Sequence, residues 1–210
     1  MQIKSFTIDE FLETLASKSP VPGGGAAAAL SAALAVSLAS MVCSLTSGKR
    51  RFTAVQKDIE RIAEESLEFR RQFMLSADED QQAFLPLAAA YAMPAGSTEQ
   101  KAERENAMQQ ALAGAAQAPL KLMRLCEQTV PLFLELLEKG NPIALSDVGV
   151  GAAMLCASVK SALLNVKINT KMMDDRESAA EMDAEADRIL KSVTEQLEEG
   201  YLRVEERLNR

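Results

Sequence analysis

An aspartate stands where a core residue belongs. Between positions 59 and 91, Ile59, Ile62, Phe69, Phe73, Ala77, Phe84, Leu87 and Tyr91 recur at steps of three, four and seven, which keeps them on one helix face. Continuing the series from Ala77 reaches Asp80, between Phe73 and Phe84. A carboxylate there is either buried and paired or lines a cavity. In the second case desolvation lifts its pKa toward a range useful for moving protons. The stripe alone leaves both options open.

A second carboxylate, Asp147, follows Ser146 at the predicted start of a later helix. Either residue is suited to cap that helix by accepting a hydrogen bond from a first-turn N–H. The same helix carries Asn165 and Asn169 among apolar neighbours. Eighteen residues make five turns, so Asn165 shares a face with Asp147 but lies about 27 Å along the axis. No small reacting centre touches both. The asparagines are therefore expected in a helix–helix contact, in a subunit interface or at the remote end of a long ligand, the first two being favoured. A second copy of the chain would bring one protomer's asparagines near the other's aspartate.

The segment "SKSPVPGGGAAAAL", Ser17 to Leu30, sets Pro20 and Pro22 before three glycines and an uncharged, Ala-rich run. A phosphate-binding loop would continue with a lysine and a Ser/Thr at fixed spacing, and none follows. The better reading is a turn bounded by the prolines, in which Pro22, Gly23, Gly24 and Gly25 line a pocket at a helix N-terminus. Bare backbone there makes room for a flat ligand and leaves N–H groups free. At the other end of the run, Lys49, Arg50 and Arg51 suit a helix C-terminus and gain a second role only toward an anionic ligand.

Composition limits the chemistry further. The chain has no histidine, which removes the commonest acid–base group, the usual metal ligand and every Ser–His or Cys–His pair. Cys43, Cys126 and Cys156 sit singly in apolar segments, as expected of reduced core thiols in the cytoplasm. A net charge of −7 argues against nucleic acid as a partner. The N-terminus lacks the apolar stretch of a signal peptide and reads as a helix with a Thr7–Glu10 capping box.

These residues need a scaffold, and Ala, Leu and Met with only 4% aromatic residues point to helices. The pattern predicts helices near 8–16, 26–47, 54–91 (kinked at Pro86), 99–139 (interrupted at Pro119 and Pro131), 148–173 and 178–208. The expected fold is all-α: one domain over residues 1–210, a bundle of long antiparallel helices around the central Ala-rich helix. Residues 26–47 carry no charge and have the length of a membrane span, but eight Ala and five Ser suit a buried helix approached closely by others.

Taken in order, "SPVPGGGAAAAL", "LTSGKRRF", "DEDQQAF", "NPIALSDVGVGAAML" and "ALLNVKIN" resemble the formiminotransferase-cyclodeaminase C-terminal domain family, which includes stand-alone methenyltetrahydrofolate cyclohydrolases. The family often has serine where this chain has Ala26, and lysines with a tyrosine where it has Lys49 to Phe52. The resemblance implies a helical homodimer acting on the carbon that bridges N5 and N10 of tetrahydrofolate, with neither metal nor redox cofactor. It implies hydrolysis of the 5,10-methenyl form, or alternatively cyclodeamination of the 5-formimino form; a non-catalytic helical adaptor is the more distant reading. On this view Asp80 is the principal acid–base and Asp147 a second carboxylate. Pro22, the three glycines, Lys49, Arg50, Ser146, Asn165 and Asn169 bind substrate, with the two cations on the folate tail.

Overall fold

The structure, a computed structural model, describes residues 2–209 and contains only helices and turns among them. The helices are α1 (Ile8–Leu15), α2 (Gly24–Thr46), α3 (Gln56–Tyr91), α4 (Thr98–Lys139), α5 (Leu145–Thr170) and α6 (Arg176–Leu208). Short 3-10 turns cover Ile3–Ser5, Arg50–Val55 and Pro142–Ala144. The capping box at Thr7 and Glu10 is present, and Ser97 with Gln100 forms a second one on α4.

From α2 to α6 the chain runs up and down. The Arg61–Glu135 and Lys121–Glu79 pairs fix α3 antiparallel to α4, while Arg124–Glu185, Arg188–Glu127 and Arg207–Glu138 fix α6 parallel to α4. Two buried side chains stitch α2 to α5 and to the turn that leads into it: Ser158 of α5 donates to the Ala28 carbonyl at 2.8 Å, and Asn141, just before the turn, donates to the Leu45 carbonyl at 2.8 Å. These contacts make α2 and α5 antiparallel. Two ends of the bundle result, one holding the start of α2 and the end of α5, the other holding the end of α2 and the start of α5.

Close approach depends on small residues. Ala26, Ala29, Ala32, Ala35 and Ala39 of α2 are buried. A Cβ on Gly151 of α5 would lie 2.5 Å from Phe133 Cε1 and 3.2 Å from the Ala35 carbonyl, so α2, α4 and α5 meet there only because that residue is glycine. The three cysteines are free and buried, and burial pushes the Cys126 thiol up to about 12 and that of Cys43 up to about 11. They are core groups.

Three expectations change. Pro119 and Pro131 do not interrupt α4, which is continuous through both because packing along the whole helix outweighs one missing N–H; α3 runs through Pro86 as one helix, as expected. The Ala-rich α2 is flanked by α3 and α5 with α4 behind it, and its outer side is open, leaving Leu34, Met41 and Leu45 at the surface. Neither Ser146 nor Asp147 caps α5. That helix starts from Ala144 without a side-chain cap, and Asn141 instead caps the preceding turn. Both α2 and α5 are long and apolar enough to span a membrane, yet each packs its inner half into the bundle.

Gly151→Ala is expected to destabilise the fold by about 1–3 kcal/mol, since the added methyl must displace a buried ring. Urea denaturation measures this.

Candidate active site

At the end of the bundle where α2 begins, a cavity of about 250 Å³ opens between α2, α3, α4 and α5. The loop before α2 supplies Pro20, Val21 and Gly23, and the first turn of α2 supplies Gly24 and Gly25. Asp80, Phe84, Leu87 and Tyr91 come from α3, Ala115 from α4, and Asn165, Ile168, Asn169 and Met172 from α5 and its end. Asp80, Phe84, Leu87 and Tyr91 follow the helical repeat, so one face of α3 forms one wall.

Asp80 lies against the backbone at the start of α2. A Cβ on Gly25 would fall 1.9 Å from its Oδ1, so no side chain fits between carboxylate and backbone. This contact explains Gly25. The three glycines adopt no left-handed backbone angle (Gly48 alone does, at φ +72°), and a Cβ on Gly23 would meet nothing within 4 Å. Burial pushes the Asp80 carboxyl up from 3.8 to about 6, while the Ala26 backbone N–H pulls it the other way. Desolvation wins because no cation among the described residues pairs with the carboxylate. Asp80 therefore lines a cavity, and the structure decides between the two alternatives left by its position.

The opposite wall is polar. Asn165 donates through Nδ2 to the Ser161 carbonyl at 2.9 Å, and Asn169 donates through Nδ2 to the carbonyls of Asn165 (2.7 Å) and Ala115 (3.1 Å). Asn169 makes the expected helix–helix contact, to Ala115 of α4, and both asparagines also line the cavity with Asp80, so the two roles coincide. Pro22, joined to Val21 by a cis peptide, is buried beneath the turn, and Pro20 and Val21 take the lining position instead.

The remaining candidates lie at the other end. Ser146 and Asp147 occupy the first turn of α5, about 27 Å from Asn165 along the axis. Lys49 and Arg50 follow α2, whose 23 residues place them more than about 30 Å from Gly24. Within one chain these four residues do not reach the cavity. Phe84, Leu87 and Tyr91 belong to the apolar stripe and carry no site role in the sequence reading, although their spacing from Asp80 is a signal for one. Nothing local marks Ala115 or Met172, which tertiary packing brings in.

Residues 7–188 match the formiminotransferase-cyclodeaminase family. This chain belongs to that family. It is 38% identical to a methenyltetrahydrofolate cyclohydrolase of Methylorubrum extorquens, over 97% of this chain and 98% of the relative. It is 36% identical to the formimidoyltransferase-cyclodeaminase of Rattus norvegicus over 79% of this chain, spanning 30% of that longer protein. The crystal structure of a formiminotetrahydrofolate cyclodeaminase from Thermotoga maritima superposes with a TM-score of 0.82 at 29% identity, covering 99% of this chain and 98% of that one. In this family member Asp80 and Gly25 face one another across the fold that these relatives share.

Two outcomes follow from the contact. Because the folded pKa of Asp80 lies above the unfolded value, its ionised form costs stability above pH 6, and the cost fades as pH falls toward 4. Asp80→Asn is thus expected to be more stable than the parent at pH 8 by about 1–3 kcal/mol, and equal to it near pH 4. Paired thermal melts at the two pH values check this. Gly25→Ala is expected to displace only the end of the Asp80 side chain, so its melting temperature stays near that of the parent while activity falls at least about 100-fold.

Proposed function

We propose that the chain is a folate one-carbon enzyme that hydrolyses 5,10-methenyltetrahydrofolate to 10-formyltetrahydrofolate, with Asp80 as its proton-transfer group. One observation carries this reading: an aspartate in an apolar wall, against bare helix-start backbone, with its pKa raised to about 6. Near neutral pH such a group is ionised yet binds a proton readily, as a general base that must later return the proton requires.

The substrate's bridging carbon lies in a cationic amidinium, which the Asp80 carboxylate attracts into a partly dry site. Water adds to that carbon as Asp80 takes one of its protons. The tetrahedral centre then collapses: the bond to N5 breaks, Asp80 returns the proton to N5, and the formyl group stays on N10. The second hydroxyl proton goes to solvent, so the reaction releases one proton overall. This sequence calls for no metal or redox group. Phe84, Leu87 and Tyr91 offer an apolar wall to the flat reduced pterin, opposite the glycine backbone.

The cyclodeaminase reaction is a second reading, favoured by the T. maritima structure's similarity over nearly the whole chain. There N10 attacks the protonated formimino carbon, Asp80 takes the N10 proton, and ammonia leaves carrying it. The first reading takes precedence because the relative that shares 38% identity along its full length is named as a cyclohydrolase.

The separation of the candidate residues favours a homodimer, and the three free, buried cysteines suit a cytoplasmic one. The outer stripes of α2 (Leu34, Met41, Leu45) and α5 (Val150, Leu164, Ile168) form one exposed apolar face. One cluster of candidate residues lies at each end of it. A two-fold axis through its middle would set the second protomer's cationic triplet and first-turn aspartate of α5 beside the cavity, where the cations meet the folate's glutamate carboxylates. Neither nucleic acid nor a membrane has a role in this reading.

Loss of absorbance of 5,10-methenyltetrahydrofolate, corrected with a protein-free blank for the uncatalysed rate, tests the reaction, and the 5-formimino compound tests the alternative. Wild type is expected to show an acidic limb near pH 6 in kcat/KM, with Asp80→Asn at least about 100-fold slower. Full activity in Asp80→Asn, measured against a protein-free blank, would overturn the assignment.

A further inference from the structure

The polar wall of the cavity contains a device whose origin is in another helix. Proline at position 119 has no N–H, so the Ala115 carbonyl, four residues earlier in α4, loses its helical donor. A buried carbonyl without a partner is costly. Asn169 of α5 supplies the missing donor through Nδ2, at 3.1 Å, and its other amide proton reaches the Asn165 carbonyl at 2.7 Å. Turning the carboxamide over would set its oxygen against two carbonyl oxygens. The orientation is therefore fixed: nitrogen toward the protein, oxygen away from it.

Asn165 repeats the arrangement one turn earlier, with its amide nitrogen on the Ser161 carbonyl. Among the described residues no protein donor reaches either Oδ1. Neither oxygen is sealed from solvent, since Ser66 Oγ and Arg104 Nε are the fully buried polar side-chain atoms without a partner among the described residues. Asn169 is only 7% exposed and lines the cavity, so its oxygen is open on that side. The Asn165 Oδ1 lies beside Gly24, 3.5 Å from where a Cβ would be. The wall opposite Asp80 thus presents two acceptors; both amide protons of Asn169 are taken up by carbonyls, while Asn165 keeps one amide proton free beside its oxygen.

We propose that Asn169, with Asn165, selects the substrate's ring system by accepting hydrogen bonds from its N–H edge, and that Pro119 is the positioning residue that locks Asn169 in the accepting orientation. This inference rests on the folate reading of the site. A reduced pterin carries donors at its 2-amino group, at N3 and at N8, and two fixed carboxamide oxygens complement such an edge. A site built to pair with N–H groups rejects ligands that lack them, because its own polar atoms would then be left dry and unpaired. The division of labour is clear: Asp80 moves the proton, and the asparagine oxygens read the ring.

The device has a specific weakness. Asn169→Leu removes both the acceptor and the donor to Ala115, so loss of binding in that variant is confounded with loss of stability. The double variant Pro119→Ala/Asn169→Leu separates them. Replacing the proline restores the helical N–H to the Ala115 carbonyl, so the double variant recovers melting temperature relative to Asn169→Leu while the cavity still lacks the Asn169 oxygen. Calorimetric titration with 5-formyltetrahydrofolate, a stable analogue, is expected to show Kd raised at least about tenfold in the double variant, one lost hydrogen bond to a polar ligand being of that order. Pro119→Ala alone is expected to raise KM several-fold with kcat unchanged, since it loosens Asn169 without touching the proton-transfer group. Wild-type Kd in a folded double variant would overturn the proposal. Absence of binding to wild type would instead overturn the folate reading on which it rests.

Discussion

The approach of one carboxylate to one stretch of bare backbone organises this molecule. Asp80 of α3 sits so near the start of α2 that a methyl group on Gly25 would overlap its oxygen. Everything that brings α3 and α2 to that separation serves the site: the alanines of α2, the apolar stripe of α3, and the antiparallel pairing that sets the second half of α3 beside the first turn of α2. The contact also sets the electrostatics. It withdraws the carboxylate from water and gives it a backbone N–H as partner in place of a cation, so desolvation governs its pKa.

A second constraint is hydrogen-bond accounting around proline. Long helices rich in apolar residues carry Pro119 and Pro131 without breaking, and each proline leaves a carbonyl four residues earlier without its helical donor. At Ala115 the shortfall is met by a side chain from α5, and meeting it orients that side chain for a different task. A defect in one helix becomes a fixed acceptor in the cavity wall. One side chain also serves twice at the opposite end, where Asn141 satisfies the Leu45 carbonyl at the end of α2 and caps its own turn.

The two ends of the bundle divide the recognisable family segments between them. The glycine turn, Asp80 and the asparagines gather at one end; the cationic triplet and Asp147 gather at the other. One chain spans the gap with α2 and α5, whose inner faces are packed and whose outer faces remain apolar. Helices apolar around their whole circumference belong in a buried environment. Half of that burial is supplied within the chain, and on the proposed reading a second copy would supply the rest and unite the two clusters.

Much of this was legible in the sequence. Residue spacing placed Asp80 among Phe73, Phe84, Leu87 and Tyr91, because a helix maps sequence to surface by a fixed repeat. The same repeat showed that Asp147 and Asn165 cannot share a centre. Composition determined the fold class and excluded histidine chemistry. What the sequence could not assign was which of two distant residues stands with Asp80, since a repeat gives relative position along one helix and says nothing about which end meets a neighbour. Tertiary packing decided that Asn165 and Asn169 join the carboxylate, that Pro20 and Val21 line the cavity in place of Pro22, and that Gly25 is the glycine whose missing Cβ matters. Those outcomes depend on contacts between residues far apart in the chain, which no local pattern encodes.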